Sequence, residues 1–544
     1  MHQDNHNLGF ELYNAADDLI DRNVSGHRSK TAIIDDSGVY TYSDVAELVN
    51  RFVNVLRELG LEHEHRIVLC LLDSIDFPVS FLGAIKAGVV PIPLNTSWTE
   101  SDYAYTLADS RARAAVVSDV QLPVLLKAAQ IADWKGQIIV SGDHYYGKFP
   151  LLRRLLDTSQ PERRSAPTRS DDVCFWLYSS GSTGKPKGTV HLQSSLVQTA
   201  KLFAQGVLGM HERDVVYSAA KLFFAYGLGN ALTFPFSVGG TSVLTRGRAT
   251  PSAVNAILRE RQPTIFCGVP TLFSSLLAAK DLIKAGEHRL KFCTSAGEAL
   301  PERVGWAWKA RTGVNIVEGL GSTEMLHIFI SNRPGSVRYG TTGRLVSGYT
   351  ARIVDENQRE VSPGEIGDLH VAGPTMAAGY WNNSRKTRGT FLGEWMRTGD
   401  KFRQNADGDF IFSGRADEML KVGGIWVSPV EVEAALVDHD SVQEAAVAGA
   451  LDENGLVKPK AFIVLKPGFC GGPELTEQLQ QFIKTRLAPY KYPRWIEFVS
   501  ELPKTATGKT QRYLLQDERL CRTQDQLAAE ASGNRKWNSE TERT

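Results

Sequence analysis

At 544 residues the chain is too long for one hydrophobic core and implies two or more domains. Lys plus Arg and Asp plus Glu both number 61, so no global field draws the protein to nucleic acid or an anionic membrane, and any anionic ligand needs a local site. The six cysteines, at positions 70, 174, 267, 293, 470 and 521, include no C-x-x-C pair, which points away from zinc and disulfide frameworks and towards a reducing compartment.

The polar start, Met1-His-Gln-Asp-Asn-His6, lacks the basic-then-apolar pattern of a signal peptide. The greasiest region, Ile67 to Leu94, is broken by Asp73, Asp76 and Lys86 and does not suit a bilayer. A soluble, cytoplasmic protein is expected. Between residues 31 and 141 short apolar strands alternate with amphipathic helices. Val45, Leu48, Val49, Phe52, Leu56 and Leu59 recur at helical spacing, Arg66–Leu72 reads as a buried strand, Asp76–Lys86 as a helix and Val89–Leu94 as a strand again. Thr99 with Asp102 three residues on can cap a further helix, and Ala114–Val117 and Gln137–Val140 continue the alternation. Such repetition predicts parallel sheets covered by helices on both faces.

Leu155 to Asp172, rich in charge, Ser and Pro, reads as an exposed connector. It leads into Val173-Cys-Phe-Trp-Leu-Tyr178, an apolar run with the composition of a buried strand. That run breaks into Ser179-Ser-Gly-Ser-Thr-Gly-Lys-Pro-Lys-Gly188. Glycines let backbone N–H groups approach an anion, hydroxyls donate hydrogen bonds, and Lys185 and Lys187 supply charge; a flexible Gly/Ser turn is the bland alternative. This is not the Walker pattern, because Pro186 follows Lys185. Strands are expected again at Asp214–Tyr217, Thr241–Leu244, Thr264–Cys267 and Leu290–Cys293. Phe223-Phe-Ala-Tyr-Gly-Leu-Gly229 and Met325-Leu-His-Ile-Phe329 mix aromatic and small residues in the manner of a flat apolar slot.

Gly319-Leu-Gly-Ser-Thr-Glu324 is a glycine turn that sets a hydroxyl beside a carboxylate, a pairing suited to a phosphate and a hard cation. From Gly340 to Gly414 short strands and glycine turns predict a β-rich subdomain. Ser428-Pro-Val-Glu431 reads as a capping box with proline at the first helical position, a new start. Paired Gly423 and Gly424 permit close backbone approach of a neighbouring group. In Pro503-Lys-Thr-Ala-Thr-Gly-Lys509-Thr-Gln-Arg512, a lysine beyond a glycine turn near the chain end can carry a cation to a distant site. From Arg522 the chain is polar and expected to fray. No internal repeats are present.

Taken in order, these loops resemble those of the acyl-adenylate-forming enzymes, the superfamily of acyl- and aryl-CoA ligases, adenylation domains and firefly luciferase, and within it the benzoate-CoA ligase group. The resemblance runs over roughly residues 10 to 520. It implies an α/β fold: a large N-terminal domain (1–414) of parallel βα sheets with a β-rich subdomain, a hinge (415–419) with Asp417 at its pivot, and a small mobile α+β C-terminal domain (420–544). It implies that ATP is held by Ser179, Ser180, Gly181, Ser182, Thr183, Gly184, Lys185 and Lys187, by Ser295, Ala296, Gly297 and Glu298, and by Glu318, Gly319, Leu320, Gly321 and Ser322. Leu320 stands where an adenine-stacking aromatic is common. Thr323 is implied on the α-phosphate, Glu324 on Mg²⁺, and Asp400 with Arg415 at the ribose.

The same resemblance places an aromatic acid against Ala225, Tyr226, Gly227, Gly319, His327 and Ile328, with Lys421 at its carboxylate or acyl-adenylate and Gly423 and Gly424 along the coenzyme A channel. Lys509 is the implied catalytic lysine, bridging substrate carboxylate and α-phosphate, because a carboxylate attacking a phosphate brings two anions together. No Asp occupies the Phe223–Tyr226 stretch, where amino-acid-activating relatives carry one, so an aryl carboxylate is expected. Benzoate, 2-aminobenzoate and hydroxybenzoates all fit this reading, as do monomer and homodimer. The alternatives are an aryl-adenylating enzyme that loads the pantetheine of an acyl carrier protein, and a catalytically silent nucleotide-binding protein. A kinase is excluded by the missing motifs.

Overall fold

In the computed structural model the β-branched and apolar runs become strands and the 3.6-period segments become helices. The structure describes residues 11–144, 147–179, 185–416, 418–422, 425–453, 456–504 and 510–515. Lys509, Ser180, Gly181, Ser182, Thr183, Gly184, Asp417, Gly423 and Gly424 therefore lie outside the described residues. The chain divides into two compact units, one of residues 1–352, 370–398 and 405–411, the other of 353–369, 399–404 and 412–544.

The first unit holds a nine-stranded sheet in the spatial order Arg344–Leu345, Ile328–Ser331, Ile316–Gly321, Phe292–Ser295, Ile265–Gly268, Val215–Ser218, Thr241–Val243, Thr31–Ile34 and Val39–Thr41. Its six central strands run parallel and its outer strands antiparallel. A second sheet, all parallel, runs Val90–Pro93, Arg66–Cys70, Ala114–Ser118 and Gln137–Ser141. Every residue of the helix Asp76–Lys86 from Phe77 onward is buried, because the helix belongs to the apolar core that it shares with Tyr42–Glu58 and the neighbouring sheet residues Ile67, Leu69 and Val116. Thr41 and Thr99 open their helices with reciprocal capping boxes, through Asp44 and Asp102.

Two local readings differ from the structure. The 155–172 connector begins inside a helix, Leu152–Thr158, and its Thr168 is buried, bonded to Asn14 and to the Tyr13 carbonyl. At Ser428 only half of the capping box forms. The hydroxyl accepts the Glu431 N–H at 3.1 Å, while the Glu431 carboxylate accepts from Lys491 at 2.6 Å.

In the second unit, Val442–Leu451 and Val457–Leu465 pair antiparallel and Trp495–Phe498 joins in parallel. The helices Pro429–Val437 and Pro473–Arg486 contribute Val432, Leu436, Leu479 and Ile483 to a core completed by Val447 and Ile463 of the strands. Among the described residues no helix is long and apolar enough to cross a membrane.

Candidate active site

Parallel strands deliver their following loops to one sheet edge, the place where open α/β sheets bind ligands. Ser295 and Glu318 are register partners at the carboxyl ends of adjacent strands, so the 295–298 and 319–324 loops emerge side by side. Gly297 turns there with φ +94°. Ala296 is buried, and among the described residues the buried Ser295 hydroxyl has no hydrogen-bond partner. Glu318 points inward: its carboxyl accepts the Leu300 N–H at 3.1 Å, and burial pushes its pKa up to about 8.

The phosphate loop joins two antiparallel strands, Val173–Ser179 and Lys187–Leu192, with Ser179 opposite Lys187. The apolar residues Cys174 to Leu177 fix the first strand by burial. Two aromatic residues anchor the first strand. The Tyr178 hydroxyl donates to Asp109 at 2.6 Å, and Trp176 packs on Trp381 with ring centroids 4.5 Å apart. Lys185 stands 5.4 Å from the Tyr105 ring centre. A third short strand, Gly379–Tyr380, pairs with Lys187–Leu192, placing Tyr380 opposite Thr189.

Across from this hairpin, Met325 N–H donates to Ser322 Oγ at 3.2 Å and Leu326 N–H to the Thr323 carbonyl at 3.1 Å, with Leu326 at φ +65°. This turn presents Glu324 to Lys187, whose Nζ lies 3.6 Å from Glu324 Oε1. The Tyr380 hydroxyl donates to the same oxygen at 2.7 Å, and Lys187 donates to that hydroxyl at 3.3 Å. The fold thus joins phosphate-loop cation and acidic turn, 137 positions apart in sequence. Sequence reasoning missed Tyr380; its only signal was the aromatic pair Tyr380-Trp381 in a segment otherwise rich in turns.

Several residues expected at the ring slot are neighbours. His327 Nε2 lies 3.3 Å from the Tyr226 carbonyl, an acceptor only, so Nε2 carries the proton. Burial pushes the His327 pKa down to about 3, so the imidazole is neutral. Phe234 lies 4.4 Å away edge-on, and Phe203 and Tyr226 both at 5.5 Å between ring centroids. The Tyr226 hydroxyl shares a 2.7 Å hydrogen bond with Thr294, and Ala225 packs half-buried on the core. Two glycines are required by close approach. A Cβ at Gly319 would stand 2.8 Å from Ile328 methyl carbons, and one at Gly227 would stand 2.0 Å from the Lys221 carbonyl oxygen. Leu320, half-buried, lies opposite Ile330 beside the bulge at Gly321.

In the second unit Arg415 donates to Asp400 at 2.8 Å, joining the two residues expected at the ribose. Lys421 lies 3.6 Å from Glu356. The ends of the 505–509 loop are held by a bridge between Lys504 and Thr510 and by Gln511 N–H donating to the Pro503 carbonyl at 2.8 Å. Arg512 then forks onto Glu433 at 2.8 and 2.7 Å and reaches Glu418 at 2.9 Å.

Comparison with known proteins agrees with this geometry. The AMP-binding enzyme family matches residues 20–381, and the AMP-binding enzyme C-terminal domain matches residues 431–509. Benzoate–CoA ligase of Thauera aromatica is 57% identical over 508 residues, 93% of this chain and 96% of its own. A 4-hydroxybenzoate–CoA/benzoate–CoA ligase of Rhodopseudomonas palustris is 47% identical over 93% of this chain and 94% of its own. The crystal structure of a benzoate CoA ligase from Burkholderia xenovorans LB400 superposes with TM-score 0.87 at 50% identity, covering 93% of this chain and all of that one. An anthranilate CoA ligase in complex with anthranoyl-AMP superposes at 0.88 with 41% identity, over 95% and 98% of the two chains. The chain belongs to the acyl-adenylate-forming, AMP-binding enzymes, in the benzoate-CoA ligase family.

Proposed function

We propose that this protein is an ATP-dependent aryl-CoA ligase. A benzoate-type carboxylate oxygen attacks the α-phosphorus of ATP, and the bond to pyrophosphate breaks, giving aryl-AMP. The thiolate of coenzyme A then attacks the acyl carbon, and AMP leaves with the bonding electron pair of the mixed anhydride. The observation that carries this reading is the meeting of Lys187 and Glu324 on the loop that continues into the His327 slot. Anion handling and ring recognition thereby share one turn.

The residue roles we assign rest on the resemblance to the family. Ser179 to Lys187 cradle the phosphates, Thr323 takes the α-phosphate, and the 295–298 and 318–322 segments border the adenine. Glu324, a side chain only 16% exposed, is a suitable oxygen ligand for Mg²⁺ shared with nucleotide phosphates; when bound, the ion neutralises phosphate charge. Asp400 and Arg415 meet the ribose, Lys509 the attacking carboxylate and Lys421 the acyl-adenylate. Asp417 is the pivot between a large domain ending at residue 414 and a small one starting at 420. Gly423 and Gly424 line the pantetheine path. With His327 neutral, the slot side of this loop offers no charge to an α-ammonium group and favours an uncharged ring. We place the enzyme in the cytoplasm.

Purified protein incubated with ATP, Mg²⁺ and benzoate, 2-aminobenzoate or hydroxybenzoates tests this. AMP and an aryl thioester should appear with free coenzyme A, and no thioester with α-amino acids. ATP left intact with every aromatic acid overturns the reading. Thioester on a pantetheinylated carrier protein, with none on free coenzyme A, moves the acceptor to the carrier.

A further inference from the structure

Tyr380 has no role in the chemistry above, yet it touches both charged groups that adenylation needs. Its hydroxyl has one proton to give. That proton goes to Glu324 Oε1 at 2.7 Å, while the phenol oxygen accepts from Lys187 at 3.3 Å. The Lys187 ammonium also sits 4.4 Å from the Tyr380 ring centre, within cation–π range. All three side chains are sheltered, with Lys187 and Glu324 at 14% and 16% exposure and Tyr380 at 7%.

The separation of lysine and glutamate is informative. A direct charge-assisted N–H···O bond closes to roughly 2.7–2.9 Å, whereas Lys187 stays 3.6 Å from Oε1. The phenol oxygen stands beside the pair, 2.7 Å from Oε1 and 3.3 Å from Nζ, and gives the carboxylate a short neutral donor and the ammonium a neutral acceptor and a ring face. Tyr380 is well placed to do this because its backbone is fixed. It pairs with the strand that starts at Lys187, its N–H donates to Thr387 Oγ1 at 3.0 Å, and its ring packs on Phe391 at 5.4 Å. The same segment grips Glu324 from behind, through Ala377 N–H donating to the Glu324 carbonyl at 2.8 Å.

We propose that Tyr380 is a positioning residue for adenylation, whose hydroxyl, bonded to both side chains, orients Lys187 for a phosphate and Glu324 for a divalent cation. The inference rests on the aryl-adenylating reading and concerns only its first half-reaction, since aryl-AMP and coenzyme A bring neither pyrophosphate nor its metal.

The test is Tyr380→Phe, which keeps the ring against Phe391 and removes the hydroxyl. Binding of manganese(II) with ATP, followed by electron paramagnetic resonance of the free ion, should weaken about ten-fold, the size expected for one lost hydrogen bond to a charged group. ATP–pyrophosphate exchange driven by benzoate should fall at least as far. Thioester formation from supplied benzoyl-AMP and coenzyme A should stay within about two-fold of wild type. Unchanged manganese–ATP binding, or equal losses in both half-reactions, overturns the proposal. Should the Phe variant not fold, the pair Tyr380→Gln and Tyr380→Leu decides: a donor at this position should exchange pyrophosphate about ten-fold faster than its apolar counterpart, and equal rates overturn the positioning role. A wild-type protein that makes no aryl-AMP would instead sink the functional reading itself.

Discussion

Glu318 is a carboxylic acid, not a carboxylate, at neutral pH. Burial between the 295–298 loop and the following strand holds its pKa near 8 against an ordinary 4.5, and the single Leu300 N–H only partly offsets the lost hydration. A folded-state pKa raised in this way contributes stability that is complete below 4.5 and is lost as pH rises through 8. Glu318→Gln should therefore match wild type in melting temperature near pH 4 and exceed it increasingly up to about pH 8; parallel melting curves across that range would contradict the assignment. His327 shows the opposite sign, held neutral down to about pH 3 by burial. At this scale the sequence marked positions but not ionisation states. Glu318 was legible as a member of the adenine-side loop, whereas its inward turn depends on register with Ser295, a strand partner 23 residues upstream. Tyr380 was less legible still, because its partners lie 56 and 193 residues away and its only local mark is the neighbouring Trp381.

Elements begin where capping chemistry says they should, and they deviate where a distant side chain competes. Thr99 keeps Asp102 to itself and closes a full capping box. Ser428 loses the carboxylate of Glu431 to Lys491, 60 residues on, and retains only the hydroxyl half. Proline at the first helical position still presets the helix Pro429–Val437. Ser428→Ala should cost about 1 kcal/mol, read by urea unfolding of the full chain; no change would show that Pro429 alone sets the start. Val173–Tyr178 was legible as a buried strand from its apolar run, and its antiparallel partner follows close in sequence, but the third strand at Gly379–Tyr380 pairs with residues about 190 positions away, which no window of sequence contains.

For the whole molecule, the alternation of strands and helices over residues 31–141 foretold the parallel sheet of Arg66–Cys70 and its neighbours, because strands buried on both faces are written as continuous apolar runs. The order of loops along the chain foretold the family, since each loop follows a strand end and the strands set their places. Two half-reactions at one site require different groups at different times, so the cation that drives the first must be dispensable in the second. Lys509 is that group in our account: its charge eases the approach of a carboxylate to a phosphate, a difficulty absent once aryl-AMP exists. The most direct measurement compares Lys509→Ala with wild type in two assays, benzoate-dependent ATP–pyrophosphate exchange and thioester formation from supplied benzoyl-AMP and coenzyme A. We expect exchange to fall by a factor of about a hundred or more with thioester formation nearly intact. Equal losses in the two assays, or exchange that survives the substitution, would contradict the mechanism.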